Sequence, residues 1–569
     1  MRLGSALGPV VKAKESVKVF TRQRPSIRGL LRSRSGRFDR AHAVLPSTAA
    51  TGVPLDLTVQ LWDEYERLHG EVGRTLAVSS TDPDADVPDR VRFPSGHDGV
   101  ATVSGVAFET PGIQYLTLTH AQTGRRFVSN PVRVTEEDPA ERVFWGDVHL
   151  HSQLSDGTGS MAKGFRYGRD VMNLDVVAYT DHDTMGFFIP PSWQRDRMHR
   201  SYFDRMKRTT ERFNDPGEFV TLFAYEWTKQ PNVGGHVNVY FDCVDDAPLL
   251  DSMAPESNSY EALFDRLREW NDDGEGRALA IPHHPAEAMY PFDFSAIDYD
   301  DGIAPLVEVY SQWGSSERPG REGNTYPLAM GQGEIDEPGH YVQDALRMGY
   351  HVGLIGGADY HGPHPGHSLI HAKPHLPSWR EWREDGLGWA SIWRVWNETS
   401  YPGGLSAFRA PDLSRESIFD ALAARRVYAT TQPDRILVDF AVEGVTPGGA
   451  PDTPGDASTA RVDGADRPRE VAVSVAGTAP LRTVRVIKNA ETWHTWEGTD
   501  DADADLDAYT ADLTWVDDEP ISGVSWDAGA ADPRGDDADV YYVRVTQADD
   551  ADGFPGMAWV GPVWIGVDD

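Results

Sequence analysis

Five apolar runs in the middle of this chain each end at, or are followed by, residues that bind metals. No other feature restricts its fold as much. Val143-Phe144-Trp145 leads into Gly146-Asp147-Val148-His149-Leu150-His151. Asp175 to Tyr179 ends in Thr180-Asp181-His182-Asp183. Phe219 to Tyr225 ends in Glu226, with His236 opening the apolar stretch that soon follows. Ala278 to Pro282 ends in His283-His284, and His351 to Ala358 ends in Asp359-Tyr360-His361. Each run has strand length and is bounded by Gly, Pro or polar residues. Continuous apolar runs of this length mark strands buried on both faces, as in a parallel sheet wrapped by helices. Amphipathic stretches such as Ser259 to Trp270 lie between them. The alternation predicts a barrel-like α/β domain with its chemistry at the C-terminal ends of the strands.

The first run is the most specific. Residues two apart on a strand share a face, so His149 and His151 project together. A short Gly-containing loop then brings Asp156. Two imidazoles and a carboxylate at a strand end form a nucleus for a divalent metal. Mixed imidazole and carboxylate donors suit zinc, manganese or iron better than calcium. The single cysteine, Cys243, excludes a thiolate cluster or an intrachain disulfide.

The ordered series Gly-Asp-x-His-x-His-Ser-x-x-Ser-Asp-Gly, Thr-Asp-His, Glu, His, His beside Pro, and Asp-x-His resembles the PHP (polymerase and histidinol phosphatase) superfamily. More narrowly it resembles a branch of large PHP proteins whose catalytic domain has β-rich flanks. The resemblance is strongest over about residues 142–370 and extends more weakly to residues 417–431. It implies a distorted (β/α)7 barrel holding two or three divalent ions (Zn, Mn or Fe), with phosphate esters hydrolysed by a metal-bound water. Matched residue by residue, it implies His149, His151, Asp156, His182, Glu226, His236, His283, Asp359 and His361 as metal ligands. Glu226 takes the place of the bridging carboxylate. Asp181 falls where an orienting carboxylate is expected, and Asp181, Glu226 and Asp359 form the implied catalytic set. Adjacent strand residues face opposite ways, so one of His283 and His284 is expected to bind metal, and His283 is preferred.

Other residues have plainer readings. Asp147 and Asp183 read as turn or cap residues, a common use of Asp. His364, His367 and His371 read as a solvated lid. Glu308, on another apolar strand, is expected to face the site or pair with an Arg, because a buried Glu needs a partner. Arg425 and Arg426 are candidates to reach a phosphate.

The chain has 569 residues, too many for one core. We expect a basic, flexible arm over 1–45, a β-sandwich-like domain over 46–140, the PHP-like hydrolase over 141–432 and a β-rich domain over 433–569. The first flank is expected to resemble an immunoglobulin-like sandwich. Trp493, Trp496, Trp515, Trp526 and Trp559 are expected to pack in the second flank rather than form a sugar platform. Residues 446–468 read as a long loop. No signal peptide is read in the arm and no apolar run is long enough for a bilayer. The net charge of −36 argues against nonspecific nucleic-acid binding and suggests a halophile's cytoplasmic protein. The expected function is a metal-dependent phosphoesterase acting on a small-molecule phosphate ester. The alternatives are hydrolysis of a non-phosphate bond at the same site, or a noncatalytic metal-binding protein whose β-domains bind a partner.

Overall fold

A computed structural model describes residues 27–33, 36–70, 75–93, 98–274, 276–396, 401–449, 458–526 and 534–568. The apolar runs form strands as expected: β1 (Arg142–Asp147), β2 (Val176–Tyr179), β3 (Val220–Trp227), β4 (His236–Phe241), β5 (Ala278–His283), β6 (Leu306–Ser311) and β7 (Gly353–Gly356). Helices α1 (Met161–Asp170), α2 (Phe203–Phe213) and α3 (Tyr260–Asp273) lie between them. Local sequence fixes the ends of α3. Ser259 caps its first turn by accepting from Ala262 N at 3.2 Å, and Gly274 ends it at φ 73°.

Strands β1 to β7 pair in sequence order. The β1–β2, β2–β3, β5–β6 and β6–β7 pairs are parallel. β4 runs antiparallel to both β3 and β5. The link from Trp227 to His236 is shorter than the dozen or so residues that a parallel crossover takes. The regular strand–helix alternation is therefore interrupted at β4, and the architecture is mixed α/β and rich in strands. Both faces of these strands are buried. Val176, Ala178, Val220, Leu222, Leu279, Ile281, Leu306 and Ile355 gather in one cluster, while Val177, Tyr179, Phe223, Tyr225, Val307, Val309 and Leu354 join a larger one. This is the two-sided burial that the unbroken apolar runs require.

Helix α4 (Trp389–Trp396) precedes β8 (Gly404–Ala410), and α5 (Arg415–Ala423) leads into β9 (Val427–Thr431). β8 lies antiparallel to β1, and β9 to β8. The sheet then continues into the C-terminal part. β9 pairs with β11 (Pro555–Val567), and β11 pairs with β10 (Asp539–Asp549). The whole sheet has 15 strands among the described residues. One half of the C-terminal flank thus continues the sheet that holds β1 to β7. A second, three-stranded sheet (Leu437–Val442, Arg469–Ala476, Thr510–Asp517) packs in the same large cluster. Trp559 is buried there, whereas Trp493, Trp496, Trp515 and Trp526 are half-buried.

The N-terminal flank has its own core and three small sheets. Its first strand, Phe38–Val44, begins inside the stretch read as a flexible arm, because its alternate residues Ala41 and Ala43 enter that core. Residues 1–26 of the arm lie outside the described residues. The stretch read as a long loop over 446–468 contains a strand, Thr459–Val462, paired with β11; residues 450–457 lie outside the described residues.

Candidate metal centre

Strand pairing brings the ligand-type residues side by side. His182 bridges Glu226 in parallel, just past the end of β2. His236 pairs with His283, and His283 with Glu308. A parallel bridge between Leu150 and Tyr360 sets the His149–His151 segment beside the Asp359–His361 segment. All nine implied ligands are buried, and each lies in at least one group of possible ligand atoms within 4.8 Å of one another.

Glu226 is the hub. Its Oε1 lies 2.6 Å from His236 Nδ1, 3.1 Å from His182 Nδ1 and 3.5 Å from His283 Nε2. Its Oε2 lies 3.1 Å from His151 Nε2 and 3.4 Å from His149 Nε2. Asp359 Oδ1 stands opposite, 3.0 Å from His151 Nε2 and 3.4 Å from His149 Nε2. Asp156 Oδ1 lies 3.3 Å from His361 Nε2 and 3.5 Å from His182 Nε2. The His236, His283 and His284 rings form a further group.

Burial and mutual charge shift these groups in opposite directions. Burial would raise the Glu226 carboxyl, but His182, His283, His236 and His151 overrule it and hold it well below the usual range. Asp359 is likewise held low, against its burial, first by His149. Burial pushes His283 down to about 3 and lowers His236 and His284. His182 rises to about 10, and His149 rises too, because nearby carboxylates outweigh burial. Buried ionised carboxylates draw protons onto facing imidazoles, a positive charge that a bound cation could supply instead. The hydrogen bonding agrees. Both ring nitrogens of His151 and His283, His182 Nε2, His284 Nδ1, Glu308 Oε1 and Asp359 Oδ1 are buried without a hydrogen-bond partner among the described residues. Each such atom costs about 1–3 kcal/mol. So many in one place fit divalent ions in coordination, and these donor types match that role.

A supporting layer aims the ligands. Asp181 accepts from Ser152 N (2.8 Å) and Oγ (2.7 Å) and from Ser155 N (3.2 Å) and Oγ (2.6 Å). Its oxygens are committed to the loop that carries Asp156, so Asp181 acts on that loop and lies outside the ligand groups. Asp147 and Asp183 are not surface turn residues. Asp147 ends β1 and accepts from Ala358 N and Gly366 N, and Asp183 accepts from Thr228 N and Ser252 N. Burial raises both carboxyls to about 7. Glu308 accepts from His149 Nδ1 at 2.7 Å, so it faces the site and does not pair with an Arg. His284 has φ 33°, which breaks the strand alternation and brings both rings of the doublet into one group.

Two readings from the sequence change. His364 and His367 are buried, so the segment after Asp359 is not a solvated lid; Arg394 Nη2 donates to His364, and the His367 ring packs at a tilt against Trp62. The His371 side chain lies outside the described residues. Arg425 lies against Gly353, at the start of β7, and Arg426 O bonds Arg409 N at the start of the β1–β8 ladder. Both Arg residues are at the end of the sheet away from the ligands. Trp313, Gln312 and Thr228 were not singled out. Trp313 Nε1 donates to Asp359 Oδ2 at 2.5 Å, Gln312 Nε2 donates to Asp359 O, and Thr228 Oγ1 bonds His182 Nδ1 at 2.8 Å. The available signal was their place just past β6 and β3.

The family model of a protein of unknown function, DUF3604, matches residues 166–301 and 340–448. That span holds His182, Glu226, His236, His283, Asp359 and His361 but begins after His149, His151 and Asp156. Among curated proteins, the chain is similar to an uncharacterised protein of Chlamydia pneumoniae, 26% identical over 473 residues, covering 82% of this chain and 64% of that protein. An uncharacterised protein of Chlamydia trachomatis is 23% identical over 532 residues, covering 91% of this chain and 73% of that protein. The chain thus spans less than two thirds of the Chlamydia pneumoniae relative. Among solved structures, it is similar to a two-domain protein containing a predicted PHP-like metal-dependent phosphoesterase from Bacteroides vulgatus. Identity there is 14% and the TM-score 0.33, with 74% of this chain and 96% of that chain covered.

Proposed function

We propose that this chain is a metal-dependent hydrolase of phosphate esters, working at a centre of two or three divalent ions. The observation that carries the reading is the convergence of nine buried imidazoles and carboxylates at the ends of successive strands, with ring nitrogens of His151, His182 and His283 and Asp359 Oδ1 making no hydrogen bond among the described residues. The ordered motifs that resemble the PHP superfamily support it. So does the Leu150–Tyr360 bridge, which links the segments after β1 and β7 and favours reading these strands as a distorted barrel over about 141–432, between the two β-rich flanks.

His149, His151, Asp156, His182, Glu226, His236, His283, Asp359 and His361 would hold the ions, with His284 and Glu308 close enough to take part. Bound ions would supply Lewis-acid polarisation of a phosphoryl oxygen and activation of a water. Glu226 reaches imidazoles on both sides through its two oxygens, which suits a shared ligand. Asp181 keeps the Asp156 loop in register, and Asp147 does the same for the Asp359 segment. Phosphoryl transfer asks mainly for such positioning and charge neutralisation. A small-molecule ester is the expected substrate.

Elemental analysis paired with phosphomonoesterase, phosphodiesterase and amidase assays, before and after chelation, tests this. We expect two or three zinc, manganese or iron ions and phosphate release that chelation abolishes. Activity confined to amides would reject the phosphoester reading. His149→Ala/His151→Ala should lose metal and activity together while circular dichroism still shows folded β-rich flanks. An active, metal-free double variant would refute the mechanism.

A further inference from the structure

The segment Ala358–Ser368 carries Asp359 and His361, and residues of its own domain hold it at several points. Asp147 takes Ala358 N at 3.1 Å and Gly366 N at 2.8 Å, and Gln432 Oε1 takes Ser368 N at 2.8 Å. Another hold comes from the N-terminal flank. Glu66 sits in the turn after the strand Leu55–Asp63, at φ 60°, and is only 2% exposed. Its carboxylate faces the catalytic domain and accepts from His367 Nε2 at 3.4 Å and from Lys373 Nζ at 3.1 Å. Arg40, from the same flank, pairs with it. His367 is itself buried. Its Nδ1 takes the Tyr167 hydroxyl at 2.9 Å, and its ring lies 4.2 Å from that of Trp62, on the strand before Glu66. Tyr167 as donor and Glu66 as acceptor leave one neutral tautomer, with the proton on Nε2.

A carboxylate buried at a domain face is costly unless partners compensate. Here two of those partners, His367 and Lys373, lie in or just after the segment that delivers two proposed metal ligands. We infer that the N-terminal β-domain completes the metal centre, with Glu66 as a positioning residue that acts on Asp359 and His361 through His367. The flank is then part of the site's framework. The inference rests on the metal-centre reading above. Outer partners of metal ligands shift affinity by about 10–100-fold, and Glu66 is one residue further out, so the lower end applies.

The test is calorimetric titration of manganese or zinc into chelator-stripped full-length protein, with the thermal midpoint of the metal-free form measured alongside. Glu66→Ala should weaken the tightest binding by about 10-fold. Tyr167→Phe, a milder change on the other side of the same imidazole, should weaken it in the same direction by less, and it serves if Glu66→Ala does not fold. Arg133→Ala is the control. Arg133 ties the same flank to Asp439 but does not touch the segment, so it should lower the midpoint without changing affinity. If Glu66→Ala and Tyr167→Phe bind metal as the wild type does, the inference fails. It also fails if Arg133→Ala weakens binding as much as they do. A wild-type protein that binds no metal overturns the metal-centre reading instead.

Discussion

Asp359 shows how much of the centre depends on single atoms. It is a non-glycine residue at φ 50°, a sparsely populated conformation that surrounding contacts must enforce. Gln312 holds its carbonyl and Trp313 holds Oδ2, which leaves Oδ1 turned toward His149 and His151. Trp313→Phe keeps most of the buried ring but removes the N–H. We expect metal affinity to fall by about 10–100-fold, with a smaller change in the melting of the metal-free protein. Unchanged affinity by titration would show that the indole only fills space. The ligand-type residues were legible because His, Asp and Glu recur in order at the ends of successive apolar runs, although any single Asp there has common structural uses. Trp313 and Thr228 were not, since an aromatic or a Thr near a strand end reads equally well as packing. The His283–His284 doublet was half legible. Strand alternation predicts opposed rings, and a positive φ is not written in the residue type.

At the level of elements, the apolar runs gave strand positions because burial on both faces leaves no polar alternation to confuse. The reversal of β4 had a signal in the short link from Trp227 to His236, but the pairing of β9 with β11 had none, since it joins partners distant in sequence. Asp175, just before β2, is one join between elements. Its Oδ2 takes Trp145 N in β1 at 2.7 Å, yet burial, opposed by Arg435, lifts its carboxyl to about 6. Its folded value lies above the unfolded value of about 3.9. Its contribution to stability is therefore fully present below that value and is lost as pH rises through about 6. Against Asp175→Asn, the wild type should lose on the order of 1–3 kcal/mol of relative stability between pH 4 and pH 7. Denaturant midpoints at the two pH values measure this, and parallel profiles for the two proteins would contradict it.

At the scale of the whole molecule, the sheet of β1 to β9 and the C-terminal flank share one hydrogen-bonded ladder. β11 buries Met557, Trp559, Val563, Trp564 and Ile565, each worth about 1.5–3 kcal/mol when fully buried. That sum is comparable to the whole stability of a typical domain, about 5–15 kcal/mol. A chain lacking residues 555–567 should show no cooperative melt by circular dichroism and no tight metal binding. A cooperative melt with metal retained would show that the catalytic part stands alone. The sequence suggested a boundary near residue 432 because β-type alternation resumes there, and composition cannot reveal that the two sides are joined across it. The same join has a consequence during synthesis. β9 ends at Thr431, and its partner begins at Pro555. At about 5–20 residues per second, the ribosome needs roughly 6–25 s to make the stretch between them. Throughout that interval the nascent sheet presents an open edge, the kind of surface that recruits stray strands. Birth of this protein therefore includes a window in which covering that edge, by a chaperone or by distance between nascent chains, would favour correct pairing.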